Sequence, residues 1–370
     1  MTELKTVPNE VRRFIVENQP VRGFWVDLES AWQDLRAHQE YPEAVRDLLG
    51  EAVSAAVLLA ATLKFQGTLT LQLEGQGLIR LLVAQCTHDF RVRAVARLRG
   101  QDDVDDDESD EDEPDIAAAP DAVADAMADA AFAPADAGAP GFEHGRVIDL
   151  GELASAERNP FALPPQADDA AAEFRRLVGE HGRVVVTIEA SEREMRYQGI
   201  VPLTGVSLSE CLEEYFASSE QLPTRVRLAA DGRRAVGLLV QKLPERGGEE
   251  AQPDSAAAAA WRDAERGIQA VQTAQLLGAS LQSVLESGFG RQDLRVFKGA
   301  PVQFACRCSL ARVAGLLKTL GQDEVRDVLR EQGAVEVTCE FCQRPYRFDA
   351  VAVEQLFAPD SDLDRVHSLH

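Results

Sequence analysis

Two close pairs of cysteines constrain this chain more than any other feature. They are Cys306-Arg307-Cys308 and Cys339-Glu340-Phe341-Cys342, separated by thirty residues, and they take four of the six cysteines. Close pairs flanking a helix-length insert are what a tetrahedral thiolate site looks like in sequence. Each pair supplies two sulfurs from one tight turn, and the chain between folds back to join them. Zinc is the metal such a set usually selects, because it accepts four sulfurs and makes no redox demand of its own. A disulfide reading competes with it, and the first pair is C-x-C where the commoner pattern has C-x-x-C at both ends. No histidine lies between residues 182 and 366, which speaks against a mixed Cys/His site.

The rest of the chain narrows the setting. A length of 370 residues suits two or three domains. No uncharged apolar run approaches the roughly eighteen residues that read as a transmembrane helix, and Met1 to Gln19 lacks the apolar stretch of a secretory signal. The expectation is a cytoplasmic protein. In that reducing compartment paired cysteines point to metal or redox chemistry more than to structural disulfides. The formal net charge of −24 argues against a phosphate-binding surface. Residues 101–145 carry sixteen acidic side chains and no Lys or Arg, two-thirds of that excess, so the remainder is only mildly acidic.

Hydrophobic periodicity predicts an α+β fold for residues 1–244, a mainly antiparallel sheet with packed helices. Val21 to Val26 reads as a strand and Leu28 to His38 as a short helix. Pro42 fits the first turn of a long helix. Its stripe is Val45, Leu48, Leu49, Ala52, Val53, Ala56, Val57, Ala60 and Leu63, with Lys64 as a C-terminal charge. The stretch 55–61 is apolar nearly all round and should pack between layers. The period then changes to two, predicting strands at 68–74, 78–85 and 90–98. Gly75-Gln76-Gly77 lies between strands and so is a turn, not a dinucleotide loop. Strands are predicted again at 183–188 and 195–201. A helix over 207–216 opens on Ser207 with Glu210 three residues later, a capping-box pattern. A hairpin joins 226–229 to 235–243 through Asp231-Gly232. Cys86 and Cys211, with no cysteine neighbours, read as buried structural thiols.

Three segments stand apart in composition. The acidic stretch at about 101–145, with an outer limit near 165, cannot bury enough apolar surface to order itself and is expected to be disordered. Order is expected to resume near Glu173. Residues 245–292 are helical by propensity but weakly striped, and Gly267 and Gly278 each cost about 1 kcal/mol in a helix. Composition favours a connector there over an element poised to unfold. Residues 293–358 form a small domain that needs a staple. Helices are predicted at 310–320 and 323–331, Gly333 ends the second, and a strand at 335–337 leads into Cys339. Residues 359–370 are a tail.

With these residues in view the chain resembles the heat shock protein 33 family of redox-regulated holdase chaperones. The likeness rests on Tyr41-Pro42, on 60–65 (Ala-Ala-Thr-Leu-Lys-Phe) and on Tyr197-Gln198-Gly199-Ile200-Val201. It also rests on Tyr215-Phe216 followed by 219–224 (Ser-Glu-Gln-Leu-Pro-Thr). In the last domain it includes Phe304-x-Cys306-x-Cys308-Ser309, Cys339-x-Phe341-Cys342 and Tyr346-x-Phe348.

The resemblance implies that Cys306, Cys308, Cys339 and Cys342 hold one Zn2+ per chain when reduced. It implies that oxidation pairs Cys306 with Cys308 and Cys339 with Cys342, releases the metal, and unfolds a metastable linker at 245–292. That reverses the preference for a connector. The activated protein, typically a homodimer, would bind unfolding clients without ATP, with no catalytic residue and no nucleic-acid or membrane partner. Two positions depart from the family pattern. The acidic insert is not part of it, and Gln343 stands where a glycine commonly follows the last cysteine.

Two other classes compete. A constitutive zinc-ribbon module for a protein or nucleic acid predicts basic residues around the turns. Arg307, Arg344 and Arg347 are there, but the chain's acidity weakens that case. A thiol oxidoreductase would use C-x-x-C in turnover, and the absence of a helix N-terminus at Cys339 speaks against it.

Overall fold

Alternating apolar and polar residues, cut by Gly and Asp turns, build two sheets around one long apolar helix. The computed structural model describes residues 7–100, 146–148, 167–190, 195–244, 255–290 and 292–358. Two compact units divide the chain, Met1–Phe304 and Ala305–His370. The first begins with strands β1 (Glu10–Val16) and β2 (Val21–Leu28), helices α1 (Ser30–Arg36) and α2 (Glu43–Thr62), and strands β3 (Gly67–Glu74), β4 (Ile79–Thr87), β5 (Arg91–Leu98) and β6 (Arg146–Ile148). Helix α3 (Ala167–Val178), strands β7 (Arg183–Ala190) and β8 (Met195–Pro202), helix α4 (Leu208–Ser218) and the hairpin β9 (Thr224–Ala230) and β10 (Ala235–Lys242) follow. Helices α5 (Ala256–Ala270), α6 (Thr273–Gly278) and α7 (Leu281–Phe289) then lead to short strands β11 (Leu294–Val296), β12 (Ala300–Pro301) and β13 (Gln303–Phe304).

One sheet runs in the order β6-β11-β1-β2-β10-β9, with β12 also pairing β1, and the other β13-β5-β4-β3-β7-β8. Among the described residues only β13 with β5 is parallel. The α+β, mainly antiparallel expectation therefore holds. Helix α2 touches strands of both sheets. Its second half is buried all round, as its unbroken apolar run requires, and it centres the main core with Phe24, Val26, Leu71, Leu82 and Phe216.

The first sheet has a second covered face. Helices α5 to α7 bury Ala264, Ile268, Leu276, Leu285 and Phe289 against Phe14, Val16, Trp25, Leu238 and Val240. Strand β2 is consequently buried at every position. The buried stripe of α5 is Ala260, Ala264, Gly267 and Ile268. Small residues carry it, which is why it reads weak in sequence. Gly267 has a packing reason: a Cβ there would lie 2.1 Å from the Gly288 carbonyl oxygen, where α5 crosses α7. Gly278 has open space around it. Polar contacts pin the helices as well. Arg225 pairs with Glu265, and Arg234 donates to the Leu277 carbonyl (2.7 Å) while forking onto buried Asp27.

Several expectations shift in the structure. Residues 294–304 pair as β11 to β13 within the first unit, so the cysteine-bearing unit opens at Ala305, not at 293. Strand β1 escapes the sequence reading because Glu10, Arg12 and Arg13 break its alternation. Arg12 is neutralised by Glu10 (2.7 Å), and Arg13 lies over the Phe297 ring. Helix α3 begins at Ala167, before the expected Glu173, and α2 ends at Thr62, leaving Lys64 outside it. At α4 Ser207 accepts from Glu210 N (3.3 Å), but the Glu210 carboxylate reaches back to Val206 N (3.0 Å) instead of Ser207 N. The acidic insert at 101–145, the segment 149–166, the linker's first residues 245–254 and the tail 359–370 lie outside the described residues.

Candidate metal centre

The second unit is small. It holds α8 (Leu310–Leu320), α9 (Gln322–Gln332), the hairpin β14 (Val335–Thr338) and β15 (Pro345–Phe348), and α10 (Ala350–Leu356). Its helices start where the sequence supplies caps: Ser309 accepts from Arg312 N (3.2 Å) and Asp349 from Ala352 N (2.8 Å). Gly333, at φ 76°, takes the left-handed conformation that stops α9. The core is nine residues: Val313, Ala314, Leu317, Val325, Val335, Tyr346, Phe348, Val353 and Leu356.

Cys306 and Cys308 sit on the segment entering α8, and Cys339 and Cys342 on the turn of the β14–β15 hairpin. That turn is closed by Cys339 N donating to the Arg344 carbonyl (3.0 Å) and Gln343 N donating to the Cys339 carbonyl (2.7 Å). Gln343 has φ 51°, a left-handed conformation in which a glycine carries no Cβ penalty. Its side-chain amide donates to the Glu340 carbonyl (3.1 Å), a local bond glycine could not make.

The four sulfurs converge. Cys306 Sγ lies 3.6 Å from Cys339 Sγ, and Cys308 Sγ 3.3 Å from Cys342 Sγ. All four fall within 4.8 Å of one another. A tetrahedron with arms of about 2.3 Å has edges of about 3.8 Å, so this set could hold a zinc-sized ion.

Donors aim at the sulfurs as well. At Cys306 burial pushes the thiol up while the Cys308 amide bonds toward the sulfur. At Cys342 burial, reinforced by the other sulfurs and opposed by the Arg344 amide, pushes the thiol up to about 12. At Cys308 burial also raises the thiol, but Tyr346 and then the other three sulfurs outweigh it and bring it down to about 7. Thiolates so close together repel one another, so without a cation few of them ionise, whereas a bound cation would let all four do so.

The remaining two cysteines take no part. Cys86 and Cys211 are fully buried in the first unit, and burial raises both thiols. The structure thus brings together all four residues that the spacing singled out. Tyr346, on β15, belongs to the core of the same unit, against which Cys308 and Cys339 pack.

Comparison with known proteins identifies the family and the fold. The family model described as Hsp33 protein matches residues 9–349. The chain belongs to the Hsp33 family. The 33 kDa chaperonin of Methylobacillus flagellatus is 33% identical over 355 residues, 96% of either chain. That of Pseudomonas paraeruginosa is 35% identical over 351 residues, 95% of either chain. The crystal structure of the Thermotoga maritima 33 kDa chaperonin, an Hsp33 homologue, superposes with a TM-score of 0.65 at 21% identity. It covers 98% of this chain and 100% of that one, and shows that the fold is shared. No helix among the described residues of this Hsp33-family chain is long and apolar enough to cross a membrane.

Proposed function

We propose that this chain is a redox-regulated, ATP-independent chaperone of the cytoplasm. It holds unfolding proteins after its four-cysteine centre is oxidised, and acts as a homodimer. Cys306, Cys308, Cys339 and Cys342 are its zinc ligands. The observation that carries this reading is the convergence of four sulfurs within 4.8 Å on a unit whose core is nine residues.

The energetics favour a staple that doubles as a sensor. A core this small supplies about 3–5 kcal/mol, while a structural zinc contributes about 10 kcal/mol or more. When bound, zinc supplies the charge that keeps all four sulfurs as thiolates, the form that oxidants attack. Cys306 with Cys308, and Cys339 with Cys342, each pass two electrons to a peroxide. An S–S bond forms, the O–O bond breaks, and two protons complete two waters. Disulfides across one and two residues close tiny loops and restrict the chain little, so the unit loses its staple and gains no substitute. Cys306 follows β13 after a single residue, so disorder there passes into the chain that leads back to α7. Release of α5 to α7, in the segment 245–292, would bare Phe14, Trp25, Leu238 and Val240 as a surface for exposed apolar chains.

The test is peroxide with mild heat on the reduced, zinc-loaded protein, following zinc release, helicity and light scattering of a denaturing client. Zinc loss, falling helicity and suppressed aggregation are expected together. Zinc release with unchanged helicity and unchanged suppression would overturn the reading. Equal activity in the reduced, zinc-loaded form would favour a constitutive binding module instead.

A further inference from the structure

The face of the first sheet that receives α5 to α7 is apolar: Trp25, Val236 and Leu238 meet Ile268, Leu276 and Leu285. One residue of that face is out of character. Side chains alternate along a strand, so Asp27 shares the side of β2 that carries Trp25, and it stands opposite Val236 on β10. Asp27 is 2% exposed. A carboxylate covered in this way is costly unless it is paired and its oxygens are satisfied.

Arg234, the residue before β10, supplies the pairing. Its Nε and Nη2 fork onto the two carboxylate oxygens of Asp27. Its remaining nitrogen, Nη1, donates to the Leu277 carbonyl (2.7 Å). Leu277 is next to last in α6. The last four carbonyls of a helix have no partner within it, and a cation is favoured beside them. One guanidinium thus serves a covered carboxylate of the sheet and an open carbonyl of the linker, a division that a planar fork allows and a point-charged ammonium does not. The two contacts depend on the linker differently. The bond to Leu277 exists only while α6 is docked, whereas the fork onto Asp27 can persist in water after release. Docking without Arg234 would strand the Asp27 charge beneath apolar helices.

We propose that Arg234 is a positioning residue for the linker: by neutralising Asp27 and capping α6 at once, it sets how readily α5 to α7 leave the sheet. This rests on the reading of 245–292 as the element released on activation. It adds a control on that release which lies wholly in the first unit and does not involve the cysteines.

The experiment follows hydrogen exchange in reduced, zinc-loaded, full-length protein, in Arg234→Gln and in the double variant Asp27→Asn with Arg234→Gln. Zinc content and light scattering of a denaturing client, without oxidant, are measured beside it. Arg234→Gln leaves Asp27 unpaired and should speed exchange in 256–289 by about 100-fold or more. The double variant removes the stranded charge and lacks the bond to Leu277, so about tenfold is expected. In both, zinc should be retained, β9, β10 and α2 should keep their protection, and client aggregation should be suppressed before any peroxide is added. Native exchange in 256–289 in both variants would overturn the proposal. So would loss of protection in the β9–β10 hairpin ahead of the linker, since Arg234 would then merely hold its own turn. If Arg234→Gln fails to fold, the double variant decides, and a native rate in 256–289 counts against the latch. Faster linker exchange with no gain in suppression would sustain the latch and defeat the holdase reading instead.

Discussion

In the first unit β2 is buried along its whole length and α2 lies enclosed between two sheets. In the second, a nine-residue core underlies three helices and one hairpin, and Leu310, Leu316, Leu320 and Val351 are 50–64% exposed. The contrast shows two ways of making a chain fold. Apolar area suffices where helix and sheets enclose one another. Where they do not, four sulfurs from the β14–β15 turn and the segment entering α8 gather within 4.8 Å, and the proposed function makes stability there depend on their oxidation state.

The largest expected effect follows from removing a ligand. Cys342→Ser should abolish stoichiometric zinc and forfeit most of the roughly 10 kcal/mol that a structural site supplies. Limited proteolysis should then cut within 305–358 while the sheets of the first unit resist. Equal resistance in both units would erase the distinction. Next in size, Leu49→Ala, at a fully buried position of α2, should cost about 2–5 kcal/mol in denaturant unfolding without changing the zinc content. A smaller change separates the two glycines of the linker. Gly267→Ala forces a methyl onto the Gly288 carbonyl and should loosen the helices by about 1–3 kcal/mol, raising chaperone activity before any oxidant is added. Gly278→Ala meets open space and should tighten them by about 0.4–1 kcal/mol, delaying activation.

The first unit should respond to acidity through one buried carboxyl. Burial, then the charge of Asp47, pushes Glu51 on α2 up to about 8 from the usual carboxylate range. A raised folded value means that the native state holds the proton more tightly. The contribution is fully present below about pH 4.5 and fades as pH rises through about 8. Denaturation of the first unit should therefore become easier from pH 5 to 8, and Glu51→Gln should flatten that slope. A slope of the other sign would refute the assignment. The smallest effect is expected from Gln343→Gly, which relieves left-handed strain of about 1 kcal/mol and loses one local amide bond, for a net gain in zinc retention of a few-fold at most.

Much of this architecture is legible in the residues themselves. The period-two runs at 68–98 and 183–201, the long stripe from Val45 to Leu63 and the Asp231-Gly232 hairpin all state local structure plainly, because each buries one face against the same core. The four cysteines are equally plain, since spacing and geometry agree. What escapes is long-range. Strand β1 hides behind Arg12 and Arg13, whose partners Glu10 and Phe297 emerge only from pairing. The linker reads as weakly amphipathic because its docking face is alanine and glycine, small enough for α5 to cross α7 at Gly267. Residues 294–304 look like the start of the last domain and are instead strands completing the first unit, a matter of which edges remain to be paired.

Hydrogen exchange on the reduced, zinc-loaded protein, before and after chelation, weighs the ion's part in the fold directly. Amides in 310–356 should lose their protection on chelation while those of β2, β10 and α2 keep theirs. Protection in 310–356 that survives complete removal of the metal would contradict the account.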